Sequence, residues 1–313
     1  MPLIAYGDEE RNLRPATLRT IEQANAIIDV YQAQGFTLTL RQLYYQFVSR
    51  DLLPNTIQHY KRLGDAINSG RLAGLIDWDA IEDRTRSAEG TFHWDDPRSA
   101  VRDLARAYDI DKWADQDTRV EVWIEKEALA GVFEGVCKEL DVAYLSCRGY
   151  TSQSEMWRGA RRLQDHMNDL DQDIVILHFG DHDPSGIDMT RDIEDRLRMF
   201  LEDDRDRLTV RRVALNRDQI RQYRPPPNPA KMTDSRFGGY AALHGNQSWE
   251  LDALEPTVLA DLVRRNVEEF RDGDKWDGLV AEQDRQRATL TGIAERYQAV
   301  EAFLAKPQRK RGS

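Results

Sequence analysis

Cysteine is nearly absent: Cys137 and Cys147 are the only two in 313 residues. They make no Cys-x-x-Cys pair and no metal-ligand spacing, which excludes a disulfide or zinc-ribbon scaffold and suits a reducing cytoplasm. No run approaches the ~20 apolar residues that a membrane-spanning helix needs, so no membrane partner is expected. Residues 1–8 lack the basic segment and apolar run of a secretory signal. Neither a Gly-x-x-x-x-Gly-Lys-Ser/Thr loop nor a Gly-x-Gly-x-x-Gly turn occurs, so no nucleotide-binding loop is expected. The six histidines show no ligand spacing. His178 and His182 are four apart, but across a strand end rather than on a helix, which argues against a zinc pair. There is no internal repeat. A basic excess is also missing: 44 Lys and Arg against 55 Asp and Glu leave a net charge of −11. That counts against nucleic-acid binding, although net charge averages over the surface and an acidic metal site adds to it. Arginine outnumbers lysine 36 to 8, which suits phosphate recognition and equally a bias in genome base composition.

With 40% hydrophobic and 32% charged residues, the chain is expected to fold as a soluble α/β protein of two domains, 1–110 and 115–313. In the first, apolar residues at Leu18, Ile21, Ala24, Ile28 and Tyr31 predict a helix over 17–35, with Gly35 as its stop. Thr39 caps a second helix to about Leu53, and Thr56 a third to about Ala73. Three helices followed by a short mixed segment, 75–86, fit a winged-helix pattern. In that arrangement the third helix faces the DNA major groove with His59, Lys61, Arg62 and Arg71. Residues 87–96 are a connector, and Pro97–Tyr108 a helix with proline in its first turn.

The periodicity then changes. Apolar runs at 120–124, 142–146 and 174–179, with a further one at 208–215, alternate with helical segments at 128–140, 153–167 and 187–201. That order predicts a parallel sheet with crossover helices. From Pro256 onward the chain reads as a helical extension, and the basic tail after Lys306 as a solvated end. Glu125 directly follows the first strand, and Asp181 and Asp183 follow the third. Ligands of open parallel sheets gather at the carboxyl ends of strands, so these acids are expected to meet there. Three carboxylates in one place need a cation among them, and hard oxygen donors favour Mg²⁺, with Mn²⁺ as the substitute, over zinc.

The segments Ile124-Glu125-Lys126-Glu127-Ala128-Leu129, Arg148-Gly149-Tyr150 and Asp181-His182-Asp183-Pro184-Ser185-Gly186 resemble the toprim domain of the topoisomerase VI A-subunit family, which includes its meiotic relative, the double-strand-break transesterase. Trp249-Glu250-Leu251-Asp252-Ala253-Leu254 is similar, less specifically, to a segment near the end of that domain. Cys147 departs from the glycine common there. The resemblance covers roughly residues 39–50 and 120–255. It implies that Glu125, Asp181 and Asp183 bind Mg²⁺, and that the chain works on double-stranded DNA as a homodimer in which one copy's tyrosine meets the other's metal. It also implies a separate ATPase partner wherever strand passage is required.

The segment Thr39-Leu40-Arg41-Gln42-Leu43-Tyr44-Tyr45-Gln46-Phe47-Val48 resembles the same family's catalytic-tyrosine block. Helical spacing separates the two tyrosines. Leu40, Leu43, Tyr44, Phe47 and Val48 form one stripe, so Tyr44 is expected in the core. Tyr45 lies off the stripe beside Arg41, one turn away. It is therefore expected to project toward DNA as the nucleophile, with Arg41 favouring its phenolate or gripping phosphate. The expected function is DNA strand cleavage by tyrosine transesterification, near the nucleoid. A hydrolytic toprim nuclease and a non-catalytic DNA-binding protein remain as alternatives.

Overall fold

The computed structural model describes residues 13–82 and 93–305. In chain order the elements are α1 (Pro15–Gln32), β1 (Leu38–Thr39), α2 (Leu40–Ser49), α3 (Ile57–Leu72), β2 (Ile81–Glu82), α4 (Pro97–Ala107), β3 (Thr118–Ile124), α5 (Ala130–Glu139), β4 (Ala143–Ser146) and α6 (Gln153–Leu170). There follow β5 (Asp173–Phe179), α7 (Pro184–Leu201), β6 (Leu208–Ala214), α8 (Arg217–Tyr223), β7 (Asn228–Pro229), α9 (Phe237–His244), β8 (Gln247–Ser248), α10 (Pro256–Glu268), α11 (Gly273–Glu295) and α12 (Tyr297–Leu304). Among the described residues no helix is long and apolar enough to cross a membrane. Two compact units emerge, each discontinuous in sequence: residues 1–86 with 118–270, and residues 87–117 with 271–313.

The first unit begins with a three-helix layer. Pro15 opens α1 at its first turn, where the missing N–H is no loss. Gly35, at φ 81°, follows the helix end and bonds back to Gln32. Thr39 starts α2 through a reciprocal cap, in which the Gln42 amide reaches Thr39 Oγ1 at 3.3 Å and the Thr39 amide donates to Gln42 Oε1 at 2.8 Å. Thr56 caps α3 in one direction only, its Oγ1 accepting from the His59 amide at 3.3 Å. Ile21, Ile28 and Tyr31 of α1, Leu43, Tyr44 and Phe47 of α2, and Leu63 and Ile67 of α3 close one apolar core. The segment after α3 ends in β2, which runs parallel to β1, pairing Leu38 with Ile81. Most of the expected connector, residues 87–92, lies outside the described residues, as do residues 83–86.

The sheet of the same unit is parallel throughout, in the order β4-β3-β5-β6, as the strand–helix alternation predicts. Its two faces follow from the period of two along a strand. Trp123, Ile174 and Ile176 pack with Met156, Leu163, Ile193 and Leu197 of α6 and α7. On the alternate face Phe179 meets Phe133 of α5 edge-on, with ring centres 4.9 Å apart. Glu121 of β3 is buried, holding the Trp123 indole at 2.9 Å and the Arg162 guanidinium through two bonds.

The second unit packs α4 along α11. Asp96 caps α4 and Asp272 caps α11. Gln116 exchanges two bonds with the Asp272 backbone, accepting at 2.7 Å and donating at 3.2 Å. Trp113 is fully buried against the edge of Trp276.

The cap on α2 yields a stability prediction. Thr39→Ala removes one half of the reciprocal bond pair and should cost about 1 kcal/mol, read as a lower midpoint in thermal unfolding. An unchanged midpoint would show that packing alone sets the start of α2.

Candidate active site

The carboxyl ends of β3 and β5 lie side by side, Ile124 against Phe179. The next residue of each strand therefore enters the same space. The Glu125 amide is fixed by the Phe179 carbonyl at 2.9 Å, and Glu125 Oε2 accepts from the Asp181 amide at 2.8 Å. Gly180 and Gly186 make room for this. A Cβ on Gly180 would stand 2.9 Å from Glu125 Oε2, and one on Gly186 would collide with the Asp181 carbonyl oxygen. The glycines thus serve the internal packing of the acids. Asp183 caps α7, its Oδ1 accepting from the Gly186 amide at 2.6 Å and Ser185 Oγ at 3.0 Å. His182, between the two aspartates, exchanges backbone bonds with Trp249 and packs edge-on against the Trp249 and His244 rings. That pairing draws residues 250–252 onto the acids: the Leu251 amide donates to Asp181 Oδ1 at 2.7 Å.

Two cations tie the cluster together. Lys126 Nζ stands 2.8 Å from Asp181 Oδ2, 2.6 Å from Glu250 Oε2 and 3.2 Å from Asp252 Oδ1. Arg41 reaches the same two acids from α2, at 2.5 Å to Glu250 and 2.8 Å to Asp252. The Asp252 side chain is wholly buried. A third cation, Arg212, comes from β6 and donates to the carbonyls of Asp181 at 2.6 Å, Gly186 at 2.8 Å and Gly180 at 3.1 Å. Burial pushes the Asp181 carboxyl up to about 8, reinforced by Glu125 and Asp252 against the pull of Lys126. Burial raises Glu125 as well, against the Asp181 amide. Burial opposes ionisation of Glu250, yet Lys126 and Arg41 hold it down at about 2. Burial likewise opposes the Lys126 charge, but Asp252, Asp181 and Glu250 together hold its pKa above the ordinary value.

Tyr44 is in the core, with its hydroxyl accepting from the Thr56 amide at 2.7 Å and lying 2.9 Å from the Thr56 carbonyl. Tyr45 departs from expectation. It is buried, at 5% exposure, rather than projecting outward. The turn at Leu251–Ala253 packs against α2, so the face that helical phase leaves open is covered by a segment some two hundred residues away. Arg41 lies over the Tyr45 ring, 5.6 Å from its centre, and its Nη2 is 3.4 Å from the hydroxyl. The expected stabilisation of the phenolate is outweighed: burial raises the Tyr45 pKa, and Asp252 and Glu250 add to it against Arg41 and Lys126. Arg41 cannot supply a free charge to the phenol while two carboxylates hold it.

A cleft of about 430 Å³ opens beside these groups, lined among others by Arg41, Tyr45, Tyr60, Asp183, Lys231 and Glu250. Asn55 bonds across to Asn228 at 2.6 Å. On the other side of Arg41 a smaller cleft, about 370 Å³, is lined by Glu125, Lys126, Glu127 and Arg148. Lys61 and Arg62 are exposed on α3. Arg71 is held differently, bonding the carbonyls of Trp78 and Ile81 and covering the Trp78 ring, so its guanidinium closes the turn after α3. Sequence reasoning assigned no role to Lys126, Glu250, Asp252 or Arg212. Lys126 and the Glu250-x-Asp252 pair stood inside the motifs that carry the resemblance; an arginine pair within a strand was the available sign of Arg212.

Among the described residues no three His, Cys, Asp or Glu side chains are arranged to hold a metal ion. Lys126 stands between Asp181 and the acids at 250 and 252, and Asp183 is drawn to its helix cap. The donor chemistry still fits a hard divalent cation. Five carboxylates, Glu125, Asp181, Asp183, Glu250 and Asp252, face three cationic side chains, Arg41, Lys126 and Arg212. All five acids offer oxygen donors, the kind that suit a hard divalent cation. No family model matches the chain, and no curated protein matches it.

The raised Asp181 pKa has a signed consequence. Ionising Asp181 is harder in the folded than in the unfolded chain, so stability falls as pH rises from about 4 toward 8. Asp181→Asn removes that penalty and keeps an acceptor for Leu251. In chelator, the melting temperature of the variant relative to the native protein should climb between pH 5 and 8. A difference that stays level across that range would show Asp181 to be an ordinary ionised carboxylate.

Proposed function

We propose that the chain cuts double-stranded DNA by tyrosine transesterification, with Tyr45 as nucleophile and Glu125, Asp181 and Asp183 as ligands of Mg²⁺ or Mn²⁺. One observation carries the reading: Tyr45 and Asp183 line the same cleft, together with the cations Arg41 and Lys231. In the reaction Tyr45 Oη bonds to phosphorus while the bond from phosphorus to O3′ breaks. The phenolic proton is matched by the one O3′ takes up, leaving a phosphotyrosyl bond and a free 3′ hydroxyl. A divalent ion held by Glu125, Asp181 and Asp183 would offset charge on the phosphate and the departing oxygen. Arg41 and Lys231 orient the phosphodiester, and the covered position of Tyr45 excludes water from the attacking oxygen. The resemblance in the motifs supports reading the helical layer as winged-helix-like and the sheet as toprim-like. It also supports a homodimer, so that two copies cut two strands, and a separate ATPase partner for any strand passage.

A second reading is favoured by the burial of Tyr45, which disfavours its phenolate. In it the chain is a hydrolytic nuclease, water attacks phosphorus, and Tyr45 only packs. Denaturing gels of supercoiled DNA incubated with Mg²⁺ or Mn²⁺ separate the two. Transesterification predicts a protein–DNA adduct from the native chain and none from Tyr45→Phe. Tyr44→Phe should keep the adduct at a stability cost of about 1–2 kcal/mol from its lost hydrogen bonds. Cutting by Tyr45→Phe, with no adduct from the native chain, establishes the nuclease instead. Absence of any metal-dependent cutting leaves a DNA-binding protein.

DNA docking through α3 predicts that Lys61→Ala with Arg62→Ala weakens binding and flattens the log–log salt slope by roughly 1–2, about 0.9 for each phosphate no longer neutralised. Equal slopes for both proteins would move the docking surface elsewhere.

A further inference from the structure

The Arg41 clamp determines which tyrosine can serve which acids, an inference that rests on the transesterase reading above. Arg41 and Tyr45 occupy one face of α2, a turn apart. Arg41 donates to Glu250 and Asp252, and both acids also accept from Lys126, which follows Glu125 and contacts Asp181. Two cations and two carboxylates alternate in a closed set, and the chain passes from nucleophile to acid cluster through it without a break. The Asp252 carboxylate is wholly buried within this set. Withdrawing α2 would strip Asp252 and Glu250 of one of their two cationic partners and uncover the Tyr45 ring, leaving poorly compensated charge where it is hardest to bear. Arg41 also lines both clefts, the one holding Tyr45 and Asp183 and the one holding Glu125 and Lys126. The nucleophile therefore faces acids of its own chain.

We propose that Glu250 and Asp252 are positioning residues that hold α2 on the acid cluster of the same chain, so that each cutting site is built in cis. This differs from the arrangement that the motif resemblance implies, in which one copy's tyrosine meets the other copy's metal. A homodimer of this chain would then carry two self-contained sites, one per copy, and either copy would cut without a tyrosine from its neighbour.

The test is complementation. Tyr45→Phe keeps the acids, and Asp183→Asn keeps the tyrosine and an acceptor for the helix cap. The two variants, differently tagged, are co-expressed and purified through both tags, or mixed at equal concentration where the copies do not associate. Asp181→Asn replaces Asp183→Asn if thermal unfolding shows the latter to be misfolded. The adduct on supercoiled DNA with Mn²⁺ is measured beside the native protein. Sites built in cis predict an adduct from the native protein and none from the mixed preparation above the level of each variant alone. Sites shared between copies restore one working site per mixed pair, read as nicked DNA carrying protein at up to half the native yield, and that result overturns the proposal. A native protein that forms no adduct removes the transesterase reading itself, which is distinguishable because complementation is scored only against native activity. As a positioning test, Asp252→Asn should lower the adduct-forming rate at least tenfold with DNA affinity unchanged, and Asp252→Glu should recover part of it. Native rates in Asp252→Asn would show that the clamp does not place the tyrosine.

Discussion

The site depends on the Lys126 ammonium among Asp181, Glu250 and Asp252. A lone ammonium buried at that depth would lose its proton, and three carboxylates without it would repel each other. Together they persist, and Arg212 faces Glu125 and Asp183, the two acids beside them. Arg41 is drawn into the same set through Glu250 and Asp252, and Tyr45 follows Arg41. The position of the tyrosine is thus an electrostatic consequence of the acids beyond the sheet.

The fold supplies this arrangement with ordinary parts. Parallel strands end at one edge, so β3 and β5 deliver Glu125 and Asp181 to adjacent places. The His182–Trp249 backbone pairing then brings a later segment back over that edge. Arg212 of β6 anchors the loop from below through the carbonyls of residues 180, 181 and 186. Each of these contacts fixes backbone, which leaves the carboxylates with the least freedom where their charges are closest.

Local features were legible in the sequence. Thr39 and Thr56 begin helices because their hydroxyls satisfy the first free amides, and that signal sits within four residues. The parallel sheet was legible because apolar runs of strand length alternate with helical periods. Tyr44 was placed in the core by its stripe. What local pattern does not carry is which distant segment covers a given face. Tyr45 lies off the stripe of α2 yet is buried, because the turn at 251–253 closes over it. Arg71 reads as a surface charge on a helix, yet its partners are carbonyls of the turn that follows. The association of residues 87–117 with 271–313 is of the same kind, since periodicity orders elements along a chain without pairing them.

The central claim is that one oxygen, on Tyr45, attacks phosphorus. Mass spectrometry of protein recovered from a cleavage reaction and trimmed with nuclease measures this directly. The account predicts a nucleotide joined through its 5′ phosphate to the peptide containing Tyr45, with fragmentation placing the mass on Tyr45 and not on Tyr44. A nucleotide on Tyr44 or on any other residue, or cut DNA whose ends carry no protein, would contradict it.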